Sequence, residues 1–447
     1  MANTASSLAG PKQASYVQAL SILGLLYFIM GFVTWVNGTL IQFLKIACEL
    51  NISEALLVTM AFFMAYFFLA LPSSLVINKT GYKSGMALSL VVMAVGCLIF
   101  IPAANTRNFG LFLTGLFVQG AGLSLLQTAS NPYASIIGPI ESAAKRISIL
   151  GICNKLAGVI SPLVIGAVVL KNASGLEDQI AKATNVAERA VLLDDLAARV
   201  IMPYVVLAIV LVIIAFLINR SSLPEIDTNE EAVEVKGGAI VMSKRTSIFQ
   251  YPYLLLGVFC IFVYVGVEVM AGDVIGLYGK SLGMSLDKTK YFTSFTLVAM
   301  LAGYVIGIIT IPKYLSQDMS LRICAILGIV FTTGAFLTTG YVAVTFIALL
   351  GLANSLMWPA IFPLAINGLG KFTKIGSALL VMGIAGGAIL PLIYGAMMES
   401  SIQHSIAKGV AEGAAKAKAA QQSYWIMIPC YLFIGYYAVS GYKLRKK

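Results

Sequence analysis

The sequence predicts an all-α membrane protein with twelve transmembrane helices in two pseudo-symmetric six-helix halves. Three observations predict it. First, 59% of the 447 residues are hydrophobic and only 11% are charged, whereas soluble domains run roughly 45–50% apolar and about 25% charged. Second, the apolar residues fall in blocks, many longer than the ~18 residues that mark a spanning helix. A bilayer interior admits only helices or closed barrels, and barrel strands alternate in polarity, so these uniform blocks are helices. Third, the two halves repeat in register.

Taken in order, the spans begin near Tyr16, Ser53, Lys83, Asn108, Ala144, Val200, Tyr251, Lys288, Met319, Val342, Thr373 and Ser423. The block from Tyr16 lacks a small-residue cleavage site and carries Trp35 and Asn37, so it reads as an uncleaved first span. Ser174–Arg199 holds Glu177, Asp178, Asp194 and Asp195 and reads as a loop with helical character. Arg220–Gln250 reads as a central linker, which divides the chain into a half at 1–219, a linker at 220–250 and a half at 251–447. The Ala/Lys-rich stretch Ser401–Gln422 reads as a third long loop. With the N-terminus inside, Lys79, Lys83, Lys145, Arg146, Lys244, Arg245, Lys443 and Arg445 all fall on inner loops. That bias predicts cytoplasmic termini and a multi-pass protein of the inner (plasma) membrane.

The composition also argues against other classes. The net charge of +11 is spread over span ends on alternating loops, not gathered into a nucleic-acid surface. The six cysteines show no paired spacing and read as small core hydrophobes. The single histidine, His404, lies in a polar loop, which argues against a His-based metal site or triad. No nucleophile–base constellation or nucleotide motif points to an enzyme, and no resident cofactor is expected.

The repeat is read residue by residue. Gly31 and Lys45 correspond to Gly266 and Lys280 at an offset of 235, and Lys79 to Lys313 at 234. Gly120, Leu125, Ala129, Pro132 and Ala134 correspond to Gly351, Leu356, Ala360, Pro363 and Ala365 at 231. Lys145, Ser148, Gly158, Pro162, Leu163 and Gly166 correspond to Lys374, Ser377, Gly387, Pro391, Leu392 and Gly395 at 229. Four sets in order, with a slowly drifting offset, outweigh the chance matches that Gly and Pro give in membrane helices.

Charges inside a span cost about 2.5–3.5 kcal/mol each on insertion scales and are usually functional. Glu268 and Asp273 in span seven, and Lys155 in span five, are the ones placed deep in apolar blocks. The two acids are five residues apart, about 140° around a straight helix. Gly266, Gly272, Gly276 and Gly279 surround them, and a broken or bent span seven would turn both toward a central cavity. Their expected role, with Lys155, is cation coupling, including a candidate Na+ site at Asp273 and Glu268; the competing reading is a structural ion pair with Lys155. Amides recur at Asn37 in span one, Gln119, Gln127 and Asn131 in span four, Asn154 in span five, and Asn354 and Asn367 in span ten, with Trp35 and Trp358 nearby. Amides offer donors and acceptors to hydroxyls and an indole offers a stacking face, so the set fits a polyhydroxylated sugar. The candidate substrate residues are therefore Asn37, Gln127, Asn131, Asn154, Glu268, Asn354 and Trp358. Interhelical hydrogen bonding explains any single amide about as well. Trp425, at the start of span twelve, reads as an interfacial anchor.

Trp35–Lys45 (WVNGTLIQFLK), Gln127–Pro139 (QTASNPYASIIGP), Lys145–Pro162 (KRISILGICNKLAGVISP) and Tyr264–Asp273 (YVGVEVMAGD) resemble the fucose/proton symporter family of the major facilitator superfamily. They are most similar to its glucose/galactose transporter branch, which also resembles sodium-dependent glucose transporters. The resemblance implies hexose import by symport with Na+ or H+ through alternating access around a midplane site between the halves. Its partners would be the sugar, the cation and membrane lipid, with a monomeric chain. The family's acids in spans one and four match Gly38 and Gln127 here, neither of them acidic. By the repeat register Gly38 corresponds to Asp273, so the carboxylate has moved to the pseudo-equivalent position. Gln42 stands where the family usually has proline, which should straighten span one. A drug or lipid exporter would favour a larger, more apolar site, and a non-transporting sugar sensor would often add a cytoplasmic domain.

Overall fold

The computed structural model describes residues 13–446 except 138–142, 184, 222, 224–234, 237–238, 241–246, 312, 367–368 and 370–371. Eleven helical stretches among them are long and apolar enough to span a bilayer. The twelfth crossing is a short 3-10 turn, Tyr424–Ile426, running into Met427–Val439. Helices start where the sequence caps them: Asn51 and Glu54 form a reciprocal capping box at Ile52–Thr80, and Asn108 and Ser316 accept from the first turns of spans four and nine. Outside the helices, the described residues hold one pair of two-residue strands, Val235–Lys236 with Ala239–Ile240.

Two stretches are more helical than a loop reading suggests. Ser174–Arg199 is largely the helices Ala173–Lys182 and Val186–Ala198. Ser401–Gln422, expected as a loop, is instead the end of span eleven and a separate helix, Glu412–Ser423. Alanine and lysine are strong helix formers, and the Glu412–Lys416 pair supports one turn of that helix.

The first span of each half is broken at near-equivalent register. Span one is Gln13–Trp35 and Asn37–Ala47, interrupted at Val36. Span seven is Pro252–Gly272 and Ile275–Ser281, interrupted at Asp273 and Val274. Carbonyls freed at such a break need partners in an apolar interior. Hydroxyls supply them: Tyr424 donates to the Met270 carbonyl at 3.1 Å, Thr296 to Ala271 at 2.8 Å and Thr293 to Gly272 at 2.8 Å. The repeat also governs packing. Gly31 lets span one sit on the Asn154 backbone of span five, and its counterpart Gly266 lets span seven sit on the Gly386 backbone of span eleven.

The halves are fastened on the side away from the termini. Thr289 donates to the Gln42 side-chain carbonyl at 2.7 Å, and the Gln42 amide donates back to the Thr289 carbonyl at 3.3 Å. Ser53 donates to Glu399 through its backbone and its hydroxyl, at 2.9 and 2.7 Å. Lys290 donates to the Leu170 carbonyl at 2.9 Å, and Lys280 pairs with Glu177 at 2.5 Å. A polar basin of about 530 Å³ lies outside this seal, lined in part by Lys45, Glu177, Lys280, Glu399 and Lys416.

Candidate functional site

A cavity of about 130 Å³ lies between the halves near mid-span. Spans one, two, four and five line it from the N-terminal half, and spans seven, eight, ten and eleven from the C-terminal half. It extends toward the terminal side, past Ile147 and Pro359.

An ion pair crosses it. Lys155 Nζ lies 3.0 Å from Glu268 Oε1, with both side chains about nine-tenths buried. The Lys155 ammonium also sits 4.4 Å from the centroid of the Trp35 ring, a cation–π contact. Tyr264 and Tyr304 lie beside Glu268 and line the same cavity. The pair therefore joins span five of one half to span seven of the other.

The amide set is partly gathered here. Gln127 and Asn131, one turn apart on span four, both face the cavity, as do Asn154 and Trp358. The Gln127 amide donates to Tyr66 Oη at 3.0 Å, Tyr27 donates to Asn131 Oδ1, and the Asn154 amide donates to the Tyr27 carbonyl at 3.2 Å. Trp358 stacks on Phe362 with centroids 5.6 Å apart. Asn37 and Asn354 are not among the lining residues. Asn354 accepts from Tyr431 at 2.9 Å, the interhelical role weighed above. Asn37 is fully buried, and neither of its polar atoms has a hydrogen-bond partner. Asn367 lies outside the described residues.

The residues that sequence reasoning missed are Tyr27, Tyr66, Tyr264 and Tyr304, which bring hydroxyls into the cavity. Tyr27 and Tyr66 each hydrogen-bond one of the span-four amides. Nothing about Tyr27, Tyr66 and Tyr304 stood out among the 20 tyrosines of the chain. Tyr264 could have been found by its spacing, since it precedes Glu268 by one turn.

Asp273 has different surroundings from Glu268. It does not line the cavity, it is fully buried, and neither carboxylate oxygen has a hydrogen-bond partner. The backbone of Gly38 lies beside it, without the geometry of a hydrogen bond. A Cβ placed on Gly38 would lie 3.1 Å from Asp273 Cα and would overlap the Thr293 hydroxyl. The two repeat-related positions thus touch each other across the interface, at the two helix breaks. The Thr293 hydroxyl and the Asp273 backbone leave no room for a side chain at position 38.

The profile of the Major Facilitator Superfamily matches residues 23–393. The chain belongs to the major facilitator superfamily. Within it, the chain is 34% identical over 435 residues to a glucose/galactose transporter of Brucella abortus, covering 97% of this chain and 96% of that one. A putative glucose/galactose transporter of Helicobacter pylori is 30% identical, covering 97% and 98%. An L-fucose-proton symporter of Escherichia coli is 25% identical, covering 87% and 89%. Among solved structures, a fucose symporter of the superfamily in an outward conformation superposes with a TM-score of 0.67 at 25% identity, covering 95% of this chain and 98% of that one. These superfamily relatives are transporters, not enzymes, and the expected fold and family stand.

Proposed function

We propose that this superfamily member imports a hexose of the glucose/galactose type by symport with a cation, Na+ or H+, through alternating access. The observation that carries the reading is the Lys155–Glu268 pair spanning the two halves inside a cavity lined by amides, tyrosines and two tryptophans. A hexose presents hydroxyls that Gln127, Asn131, Asn154 and Glu268 recognise by donor–acceptor pairs, and an apolar ring face that Trp35 or Trp358 covers. The names of the glucose/galactose and fucose-proton relatives support the substrate class and the symport.

Coupling follows from charge. Holding an unneutralised carboxylate in a dry interior is costly. The coupling cation neutralises Asp273, while Lys155 holds Glu268 until sugar competes for the pair. The far-side seal and the cavity's extension toward the terminal side correspond, with cytoplasmic termini, to an inward-facing state of a monomeric chain in the inner membrane. Thr289 and Glu399 would have to release Gln42 and Ser53 for the outward-facing state.

The test is uptake of labelled glucose and galactose by proteoliposomes, with sodium and pH gradients imposed separately. Concentrative uptake in one of the two gradients is expected. No concentrative uptake of either sugar in either gradient would refute the reading.

A further inference from the structure

We propose that Trp35 is a partition and coupling residue: its indole separates the sugar cavity from the buried Asp273 carboxylate and links the state of one to the other. The proposal rests on the symport reading above.

The indole sits in a seat built from both halves. Lys155 and Gly158 lie one turn apart on span five, and Glu268 and Gly272 lie one turn apart on span seven, so each helix offers one charge and one glycine on a single face. The two charges pair with each other, and Lys155 rests on the face of the ring. The two glycines grip its edges. A Cβ on Gly158 would lie 2.5 Å from Trp35 Cδ1, and a Cβ on Gly272 would overlap the far ring at Cζ3. Trp35 is 3% exposed and packs on Leu297 and Met300 of span eight.

The placement has a consequence for coupling. Trp35 lines the sugar cavity, and its benzo edge abuts Gly272, the residue before Asp273. It is also the last residue before the break in span one. Any shift of Lys155 when sugar competes for Glu268 moves the surface on which the indole rests. Any movement of the span-seven break when Asp273 is neutralised moves the opposite edge. The ring touches both sides, at Lys155 and at Gly272, so a rearrangement on either side bears on it.

The experiment uses size complementarity in the reconstituted full-length protein. Gly272→Ala pushes the indole off its seat; Trp35→Phe removes the lobe that an alanine methyl would meet. For Gly272→Ala we expect sugar-free cation entry under an imposed sodium or pH gradient, read with an internal ion-sensitive dye. We also expect its glucose or galactose accumulation ratio to fall toward unity while counterflow exchange persists. In the Gly272→Ala/Trp35→Phe double variant, the leak should close again and accumulation recover relative to Gly272→Ala alone. A Gly272→Ala protein as tight and as concentrative as wild type would overturn the proposal. So would a double variant that leaks more than Gly272→Ala. Absence of counterflow in the wild type would refute the sugar reading instead, and the cation-entry arm would still decide the partition.

Discussion

Replacing Lys155 by methionine removes the one positive charge paired with Glu268 among the described residues while keeping a flexible apolar stem. At 3.0 Å and an effective dielectric of about 20, the attraction between the two charges is about 5–6 kcal/mol before desolvation is subtracted. Breaking a buried pair from one side typically costs about 3–5 kcal/mol, because the remaining charge stays buried and unpaired. Losing the contact with Trp35 adds about 1 kcal/mol. Lys155→Met should therefore lose about 4–6 kcal/mol of stability. The charge-neutral double variant Lys155→Met/Glu268→Gln should regain most of that loss, since removing both charges together leaves no orphan. The assay is denaturant unfolding of purified protein in detergent, arranged as a double-mutant cycle. A single variant within about 0.5 kcal/mol of wild type, or a double variant as destabilised as the sum of the singles, would refute the assignment of Glu268 and Lys155 as one buried unit.

Two further predictions concern the cavity and the seal. Gln127→Ala and Asn131→Ala each remove an amide that faces the cavity, and each should weaken sugar binding by about 1–1.5 kcal/mol, roughly 5–10-fold; ligand-induced quenching of tryptophan fluorescence reads it, and unchanged affinity in both would take span four out of the sugar site. Gln42→Ala removes a reciprocal, fully buried contact with Thr289 and should favour opening of the far side by about 1–3 kcal/mol, read as faster hydrogen–deuterium exchange in Leu286–Thr289. Wild-type protection there would mean that Gln42 does not hold the seal.

Gln42 also illustrates where the sequence was informative and where it was not. Its departure from the family proline was visible, and a straighter span one was the natural expectation. In three dimensions span one still breaks, at Val36, and the glutamine instead grips the opposite half. Spans were legible because apolar runs of helix length have few alternatives, and the span-seven break was legible because glycines crowd Asp273. The break in span one carried no comparable local signal, although the repeat register would have transferred it from span seven. The candidate site was legible in Lys155 and Glu268, since an ionisable group inside a span is costly and therefore conspicuous, whereas Asp273, expected in the same cavity, lies outside its lining. Its amides were less so: Gln127, Asn131 and Asn154 reach the cavity while Asn354 serves Tyr431, and linear order cannot separate those roles. Tyrosines were the least legible, because the same residue type packs helix interfaces throughout the chain.

The account turns on Asp273, a carboxylate held in the protein interior with no hydrogen-bond partner of its own. The most direct test is the Asp273→Asn variant in proteoliposomes, comparing gradient-driven accumulation of labelled glucose or galactose with counterflow exchange of the same sugar. A cation-neutralised Asp273 predicts that accumulation is lost while exchange continues, because asparagine mimics the neutralised state permanently. Accumulation at the wild-type level would contradict it and remove Asp273 from the coupling role.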